Sequence, residues 1–545
     1  MSTEESGGPV TRVPRPRPGG GGSCRGRAVR KTRPLPFGII PSVLDDVLTA
    51  ADREQVARRG IPLSEIEAQL RLFREPPRGL VLVRPCRVGD GIRTLPAERH
   101  PDLLAAWERA ATAGRFSKFV PASGAASRMF QSLAAFLDAP GEPPEDVRRF
   151  VAGLDGFAFR DELLAAAGPD VPGEAPTARA RRLVAALLLP EGLGYAEKPK
   201  GLIPFHRSRE GGRTPFEEHL VEAARTVRDG AGVCRVHFTV AEERQTDFEA
   251  LLARARRFLE PWLGVALDVS FSAQSPATDT LAVDEEDRPF RLEDGSLLFR
   301  PGGHGALLSN LQETGGDLVY VKNVDNVVPE SRQEGVVLWK KLVGGLLVEL
   351  DERRRALVAR LGDGGAGAVV DEAVVFAGAE LGIGEAAPLL ALPRAEAHAR
   401  LLGLLDRPLR VAAVVRNQGE PGGGPFFTRE ADGRLTPQIV ESSQVSPSDP
   451  AQRAIWAAST HFNPVDLVCA LRDADGRAYD LSSFVDPSTA FVSRKSKDGR
   501  ALKALERPGL WNGAMSRWLT VFVEVPVETF APVKTVLDLL RPEHR

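Results

Sequence analysis

Apolar residues recur along this chain with two periods. Over 45–59, 63–73 and 101–113 they fall three and four positions apart, which predicts helices. A short run at 79–86, with Leu-Val-Leu-Val inside it, reads as a strand. From Lys118 onward, short β-branched runs alternate with helical stretches. Strands are predicted at 118–121, 233–240, 265–271 and 318–324, and helices at 127–137, 246–259 and 331–350. Further strands follow at 410–415, 436–440, 467–471 and 519–525. Alternation of this kind predicts an α/β fold whose parallel sheet is covered on both faces. In such sheets a ligand sits beyond the carboxyl ends of the strands. The helical stretches 143–188 and 362–403 read as insertions or lids, and no fixed-period repeat is present.

Composition changes this picture at one end only. Residues 1–35 carry Gly19–Gly22, several prolines and arginines from Arg12 to Arg33, which predicts a disordered basic tail. Such a tail serves either as a solvated leader or as an arm for nucleic acid or a charged surface. Elsewhere the 43% hydrophobic and 26% charged residues are those of a globular chain with a real core. A net charge of -2 gives no global field for nucleic acid or an acidic membrane. Cys24, Cys86, Cys234 and Cys469 lie far apart without a C-x-x-C pair, so neither a zinc site nor a disulfide scaffold is expected. The most apolar stretch, 336–350, is interrupted by Lys340, Lys341 and two glycines, which excludes it as a membrane span. A secretory apolar region is absent from the first residues, and the cytoplasm is the expected compartment.

Several short segments carry candidate chemistry. Val120-Pro-Ala-Ser-Gly-Ala-Ala-Ser-Arg-Met-Phe130 runs from a predicted strand through small residues into a predicted helix. Small side chains let a phosphate approach the backbone, the N–H groups at a helix start favour an anion, and Arg128 adds a planar cation. The same residues would serve a turn that only has to pack. Glu197-Lys-Pro-Lys-Gly-Leu-Ile-Pro-Phe205 places two lysines before an apolar run, where an ammonium can stabilise developing phosphate charge. Arg300-Pro-Gly-Gly-His-Gly-Ala-Leu-Leu308 surrounds His304 with glycines, which suits either close approach of a planar base or a simple turn. Val319-Tyr-Val-Lys-Asn-Val-Asp-Asn326 ends a strand on Asp325, an oxygen ligand fit for Mg²⁺ or a cap for the next turn. Gly419-Glu-Pro-Gly-Gly-Gly-Pro-Phe-Phe427 precedes Gln438-Ile-Val-Glu-Ser442, a glycine loop beside a carboxylate that suits sugar hydroxyls or a flexible lid. Thr460-His-Phe-Asn-Pro464 and Thr529-Phe-Ala-Pro-Val-Lys-Thr-Val-Leu-Asp-Leu-Leu540 complete the set. A G-x-x-x-x-G-K-[ST] loop does not occur, which argues against a P-loop kinase or ligase.

Together these segments resemble the sugar nucleotidyltransferases, the UDP-sugar pyrophosphorylases in particular. Ser123–Met129 is similar to the G-x-G-T-R loop of that superfamily, with Ala125 and Ala126 where glycine and threonine are usual. Lys-Pro-Lys-Gly-Leu-Ile-Pro resembles its K-x-L-L-P segment, and Phe530-Ala-Pro-Val-Lys534 with Asp538-Leu-Leu540 resembles F-x-P-V-K-x-x-x-D-L-L. The strings Phe-Val-Pro-Ala-Ser-Gly-Ala-Ala-Ser-Arg-Met-Phe and Arg-Pro-Gly-Gly-His-Gly-Ala-Leu also resemble domain-of-unknown-function family 4301, over most of the chain from about Gly79.

The resemblance implies a three-layer α/β/α nucleotide-diphospho-sugar transferase-like (GT-A-like) mixed sheet. It implies a mainly helical N-terminal subdomain at 36–115, a nucleotide-binding α/β domain at 116–404 carrying both helical insertions, and a sugar-binding half with a lysine segment at 405–545. The implied partners are an NTP or nucleotide-sugar and a sugar phosphate, with Mg²⁺ on Asp325 as cofactor. Arg128, Lys200 and Lys534 would be catalytic. Ala122, Ser123, Gly124, Ala125, Ala126, Ser127, Gly302, Gly303, His304 and Gly305 would hold the nucleotide, and Gly423, Gly424, Glu441 and Asn463 the sugar. The implied reaction moves NMP from the NTP to a sugar 1-phosphate and releases pyrophosphate. A non-catalytic nucleotide-sugar binder of the same fold is the alternative, motivated by the altered loop.

Overall fold

The predicted strands assemble edge to edge. In the computed structural model, which describes Leu44 and residues 47–545 except 78, 365–366, 385, 420–421, 431–432 and 447, ten strands form a central sheet. The basic tail at 1–35 lies outside the described residues. The strands are β1 (Arg87–Val88), β2 (Gly91–Arg93), β3 (Phe116–Pro121), β4 (Val233–Thr239), β5 (Ala266–Ser272), β6 (Leu318–Lys322), β7 (Leu409–Arg416), β8 (His461–Phe462), β9 (Asp466–Ala470) and β10 (Leu519–Glu524). Their order is β1-β2-β10-β7-β9-β6-β3-β4-β5, with β8 paired to β7.

The sheet is mixed, as the resemblance implies, and the parallel order that the strand pattern suggests is broken at one strand. β9 runs antiparallel to both β6 and β7, and the other neighbours along this order are parallel. Both faces of β9 are buried, so its hydrophobic pattern reads the same in either direction. The sheet is therefore mixed.

Side chains alternate across β3 and divide the core. Phe116 and Val120 face a helical layer made of α1 (His100–Thr112), α2 (Pro215–Thr226), α3 (Gln245–Leu263) and α4 (Gln333–Gly362). Phe119 faces the opposite side, which is covered by the short helix Leu308–Glu313 and by Leu510, Trp511 and Trp518. The two glycines that interrupt the apolar stretch in α4 have a packing role. A Cβ on Gly345 would overlap Leu103 O of α1, and one on Gly344 would overlap the Tyr320 hydroxyl. Among the described residues, no helix is long and apolar enough to cross a membrane.

Two expectations about organisation change. The strand predicted at 79–86 forms as Leu82–Pro85, in a separate three-stranded sheet with Gly424–Arg429 and Leu435–Val440. The helices Ala50–Arg58 and Leu63–Arg74 dock on distant chain, with Gln69 Oε1 accepting from Leu281 N at 2.9 Å. Residues 48–545 form one compact unit. The insertion at 143–188 is a lobe with a core. Its Val147, Phe150, Leu163 and Leu183 pack with Met129, Phe130 and Leu133, and with Val533, Val536 and Leu539 from the last segment.

Candidate active site

β3 and β6 lie parallel and adjacent, so their carboxyl ends deliver two loops to one edge. In the first loop Ala122 is buried and its N–H donates to Thr239 O at 2.8 Å. Ser123, Gly124 and Ala125 are exposed, and their N–H groups donate to nothing among the described residues. The loop is fastened to the lysine segment by Ala126 N donating to Lys198 O at 3.0 Å and Lys200 N to Gly124 O at 3.4 Å. The helix predicted from Ser127 does not start there. Residues Ala126–Arg128 make a 3-10 turn, and the α-helix spans Gln131–Asp138. Met129 and Phe130 dive into the lobe core and break the run, so no helix dipole is aimed from Ser127. Arg128 is exposed on this turn and has no ion-pair partner among the described residues.

Past β6 the chain turns through Asn323, Val324, Asp325 and Asn326. Here three distant segments meet. Lys200 Nζ donates to Asp325 Oδ2 at 2.8 Å and to Val533 O at 2.7 Å. Lys534 Nζ donates to the same Oδ2 at 3.4 Å. Val533 N donates to Asp325 O at 3.1 Å, and Ala531 N to Asn326 Oδ1 at 3.1 Å. Asp538 Oδ2 accepts from Lys534 N at 2.8 Å and Thr535 N at 2.7 Å, which fixes the turn that presents the lysine. Burial pushes the Asp325 carboxyl up, but the charges of Lys534 and Lys200 and their hydrogen bonds outweigh it and hold the group below the usual carboxylate value. The Lys534 side chain is 50% exposed, against 14% for Lys200 and 11% for Asp325, so Lys534 is the cation that solvent and an incoming anion reach first.

The donor set bears on Mg²⁺. Among the described residues no three His, Cys, Asp or Glu side chains gather into a metal-holding group. Asp325 offers one carboxylate, and Mg²⁺ commonly takes one or two carboxylates and completes its shell with phosphates and water. The residues present fit an ion carried by phosphates better than one caged by protein.

His219 supports the loop from behind. Its Nε2–H faces Asn323 O at 3.2 Å and Val324 O at 3.3 Å. Burial, reinforced by the charge of Lys118, keeps this imidazole neutral.

The sugar and base candidates form a second corner. The His304 ring stacks on Trp511 with centroids 4.0 Å apart, and its Nδ1 accepts from Leu510 N at 2.9 Å. Burial pushes His304 down to about 4. Trp511 Nε1 donates to Glu441 Oε1 at 3.0 Å, and burial raises that carboxyl against the pull of the indole hydrogen bond. Gly423 lies beside Glu441, and its carbonyl accepts from Asn463 N at 2.8 Å. The Phe462 and Phe530 rings, 5.3 Å apart, join this corner to the lysine segment.

Two assignments are corrected here. Gly302 and Gly305 are crowded by Thr278, Arg507 and Pro508, so their small size is required by the chain itself and not by a base. Asn463 is 1% exposed, and both ends of its amide are used. Its Nδ2 donates to Ala413 O at 2.8 Å, and its Oδ1 accepts from Val465 N at 3.1 Å. It holds the turn in which Val465 has a φ of 53° and is not free for a sugar. Sequence reasoning missed Trp511, the residue that links His304 to Glu441. Its signal was faint, a lone aromatic after Arg507-Pro-Gly-Leu.

No functionally curated relative matches the sequence. Among solved structures, the chain is similar to the uridine diphosphate N-acetylglucosamine pyrophosphorylase from Trypanosoma brucei, at 13% identity over 92% of this chain and 82% of that one, with a TM-score of 0.48. It is similar to UDP-glucose pyrophosphorylase from Leishmania major, at 13% identity over 90% and 79%, with a TM-score of 0.45. It is also similar to a putative UDP-N-acetylglucosamine pyrophosphorylase from Entamoeba histolytica, at 11% identity over 82% and 84%, with a TM-score of 0.39. Likeness this slight does not speak for activity. The model of the family described as "Domain of unknown function (DUF4301)" matches residues 49–545, and the chain belongs to that family.

Proposed function

We propose that the protein is a sugar-1-phosphate nucleotidyltransferase acting at the carboxyl edge of β3 and β6. The observation that carries this reading is the meeting of Lys200 and Lys534 on Asp325, beside a loop whose N–H groups at Ser123–Ala125 are unspent. In the reaction an oxygen of a sugar 1-phosphate attacks the α-phosphorus of an NTP. The bond from that phosphorus to the bridging oxygen breaks, and pyrophosphate leaves. No covalent nucleophile on the protein is needed; the task is to align two anions and offset their charge. The loop amides and Arg128 would take the leaving pyrophosphate, and Lys200 and Lys534 the α-phosphate and the sugar phosphate. Glu441 and the loop at Gly423 and Gly424 would face the sugar, and Gly303 with His304 the base. Mg²⁺ brought by the phosphates and held through Asp325 would add further charge neutralisation.

The test is pyrophosphate release from a panel of NTPs and sugar 1-phosphates with Mg²⁺. A non-catalytic binder is the second reading, favoured by Ala125 and Ala126 in the loop, where glycine and threonine are usual in the family it resembles. Calorimetric binding of NTP or nucleotide-sugar without pyrophosphate release across the panel would select it.

A further inference from the structure

The segment 526–545 crosses the molecule as a strap, and it brings Lys534 to Asp325. Its middle is fastened at Asp325 and Asn326 and by Val536 N donating to Met129 O at 3.0 Å. Val533, Val536 and Leu539 sink into the lobe core. Its far end is fastened differently. His544 Nδ1 lies 2.9 Å from His206 Nε2, and His206 Nδ1 lies 3.0 Å from Glu218 Oε1. The two imidazoles stack with centroids 5.2 Å apart. Gln333 Nε2 donates to Glu218 Oε2 at 3.1 Å. Exposures of 1% for Glu218, 1% for His206 and 5% for His544 leave the line almost dry.

We propose that the Glu218–His206–His544 line is an acid-released latch that holds the strap, and with it Lys534, against Asp325. The argument is geometric. With Glu218 ionised, His544 Nδ1–H donates to His206 Nε2, and His206 Nδ1–H donates to the carboxylate. With one added proton on Glu218 every bond reverses, and the line is again complete. A second added proton sets the His206 and His544 N–H groups face to face, and the line breaks. His544 also borders a cavity of about 500 Å³ shared with Arg332, Trp339 and Thr529.

The charged groups around the line are Arg213 from the hairpin that pairs His206–Ser208 with Gly211–Arg213, Glu222 on α2, Glu330 at the entry to α4, and Asp538, Arg541 and Glu543 on the strap. Burial, with Arg213 adding to it, pushes His206 down to about 3. Burial, with His206 adding to it, does the same to His544. Burial raises Glu218 to about 8. The docked strap therefore holds one proton on the line where the released strap takes up two, one on each histidine, once the pH falls below about 6.5. Release should approach a gain of about tenfold per pH unit from about pH 5.5 downward, where both free histidines are charged.

Hydrogen exchange of the full chain, followed by mass spectrometry and corrected for intrinsic rates, tests this without substrate. Between pH 5.5 and 4.5 a peptide covering 530–540 should exchange about tenfold faster, while one covering β6 should not change. His544→Phe keeps a ring in place and removes the second proton, so the pH dependence should vanish. His206→Gln, which keeps hydrogen bonding and cannot charge, should flatten it as well. Equal corrected protection at both pH values would overturn the latch, as would an unchanged tenfold response in either folded variant. The link to Lys534 rests on the proposed activity, and in wild type only kcat/KM should fall once the released strap outnumbers the docked one, by about tenfold per further pH unit. A working latch with no turnover on any substrate would count against the activity, and turnover with a pH-independent strap would count against the latch.

Discussion

Lysines and carboxylates meet twice near the end of β6, on opposite terms. At the edge, Lys200 and Lys534 share Asp325, and Lys534 stays half in water. Behind the sheet, Lys118, Lys322 and Lys340 gather on Glu222 with almost no exposure, and on the partly buried Asp466. Lys118 Nζ and Lys322 Nζ each lie 2.7 Å from a Glu222 oxygen, and Lys340 Nζ lies 2.6 Å from Asp466 Oδ1. In the buried cluster every ammonium has a carboxylate partner, and the charges serve to lock β3, β6, β9, α2 and α4 together. At the edge, two cations share one oxygen and one of them remains open to an anion. The chemistry of the side chains is the same. Solvent and the count of partners decide which set holds the fold and which is available to a ligand.

That contrast can be broken by substitution. Glu222→Gln should cost most, about 3–5 kcal/mol of stability, because it leaves buried ammonium groups short of a counter-charge. Urea unfolding measures it, and a loss below 1 kcal/mol would show that the cluster is not a lock. Lys534→Ala should leave stability within about 0.5 kcal/mol, as a largely exposed group does, yet lower kcat/KM by about a hundredfold or more. A folded Lys534→Ala protein that turned over normally would remove this lysine from the reaction.

The corner at His304 is intermediate, since it is enclosed and its imidazole is neutral. His304 has a folded value near 4, and its unfolded value is about 6.5. Its contribution is therefore present above pH 6.5 and is lost as the pH falls toward 4. The loss should reach about 1.4 kcal/mol by pH 5.5. Titrating this imidazole by NMR checks it, and an ordinary value would mean that the ring is wetter than the stacking implies. Trp511→Phe should cost least, about 1 kcal/mol from the hydrogen bond to Glu441, visible as a small fall in the urea midpoint. An unchanged midpoint would mean that water replaces the indole N–H at no cost.

The sequence pattern carried the central strands because β3, β4 and β6 are apolar runs bounded by polar turns. It could not carry the direction of β9, since a strand buried on both faces reads alike both ways. The start of the helix after Ser127 was misplaced because Met129 and Phe130 fit a helical stripe, although they belong to another core. The meeting of Lys200, Asp325 and Lys534 was legible only through their resemblance to known motifs, because no spacing along the chain announces it. Lys118 and Lys322 did leave a trace, being charges inside apolar strands. Their meaning depended on Glu222, a residue about a hundred positions away from both.

The two lysines on Asp325 stand 125 residues before it and 209 after it. Synthesis runs in one direction, so a growing chain can pair β3 with β6 and seat Lys200 long before Lys534 exists. Through that interval the edge has one cation on its carboxylate, and the lobe lacks Val533, Val536 and Leu539. The three-residue meeting at this edge is thus completed only after the strap has been made.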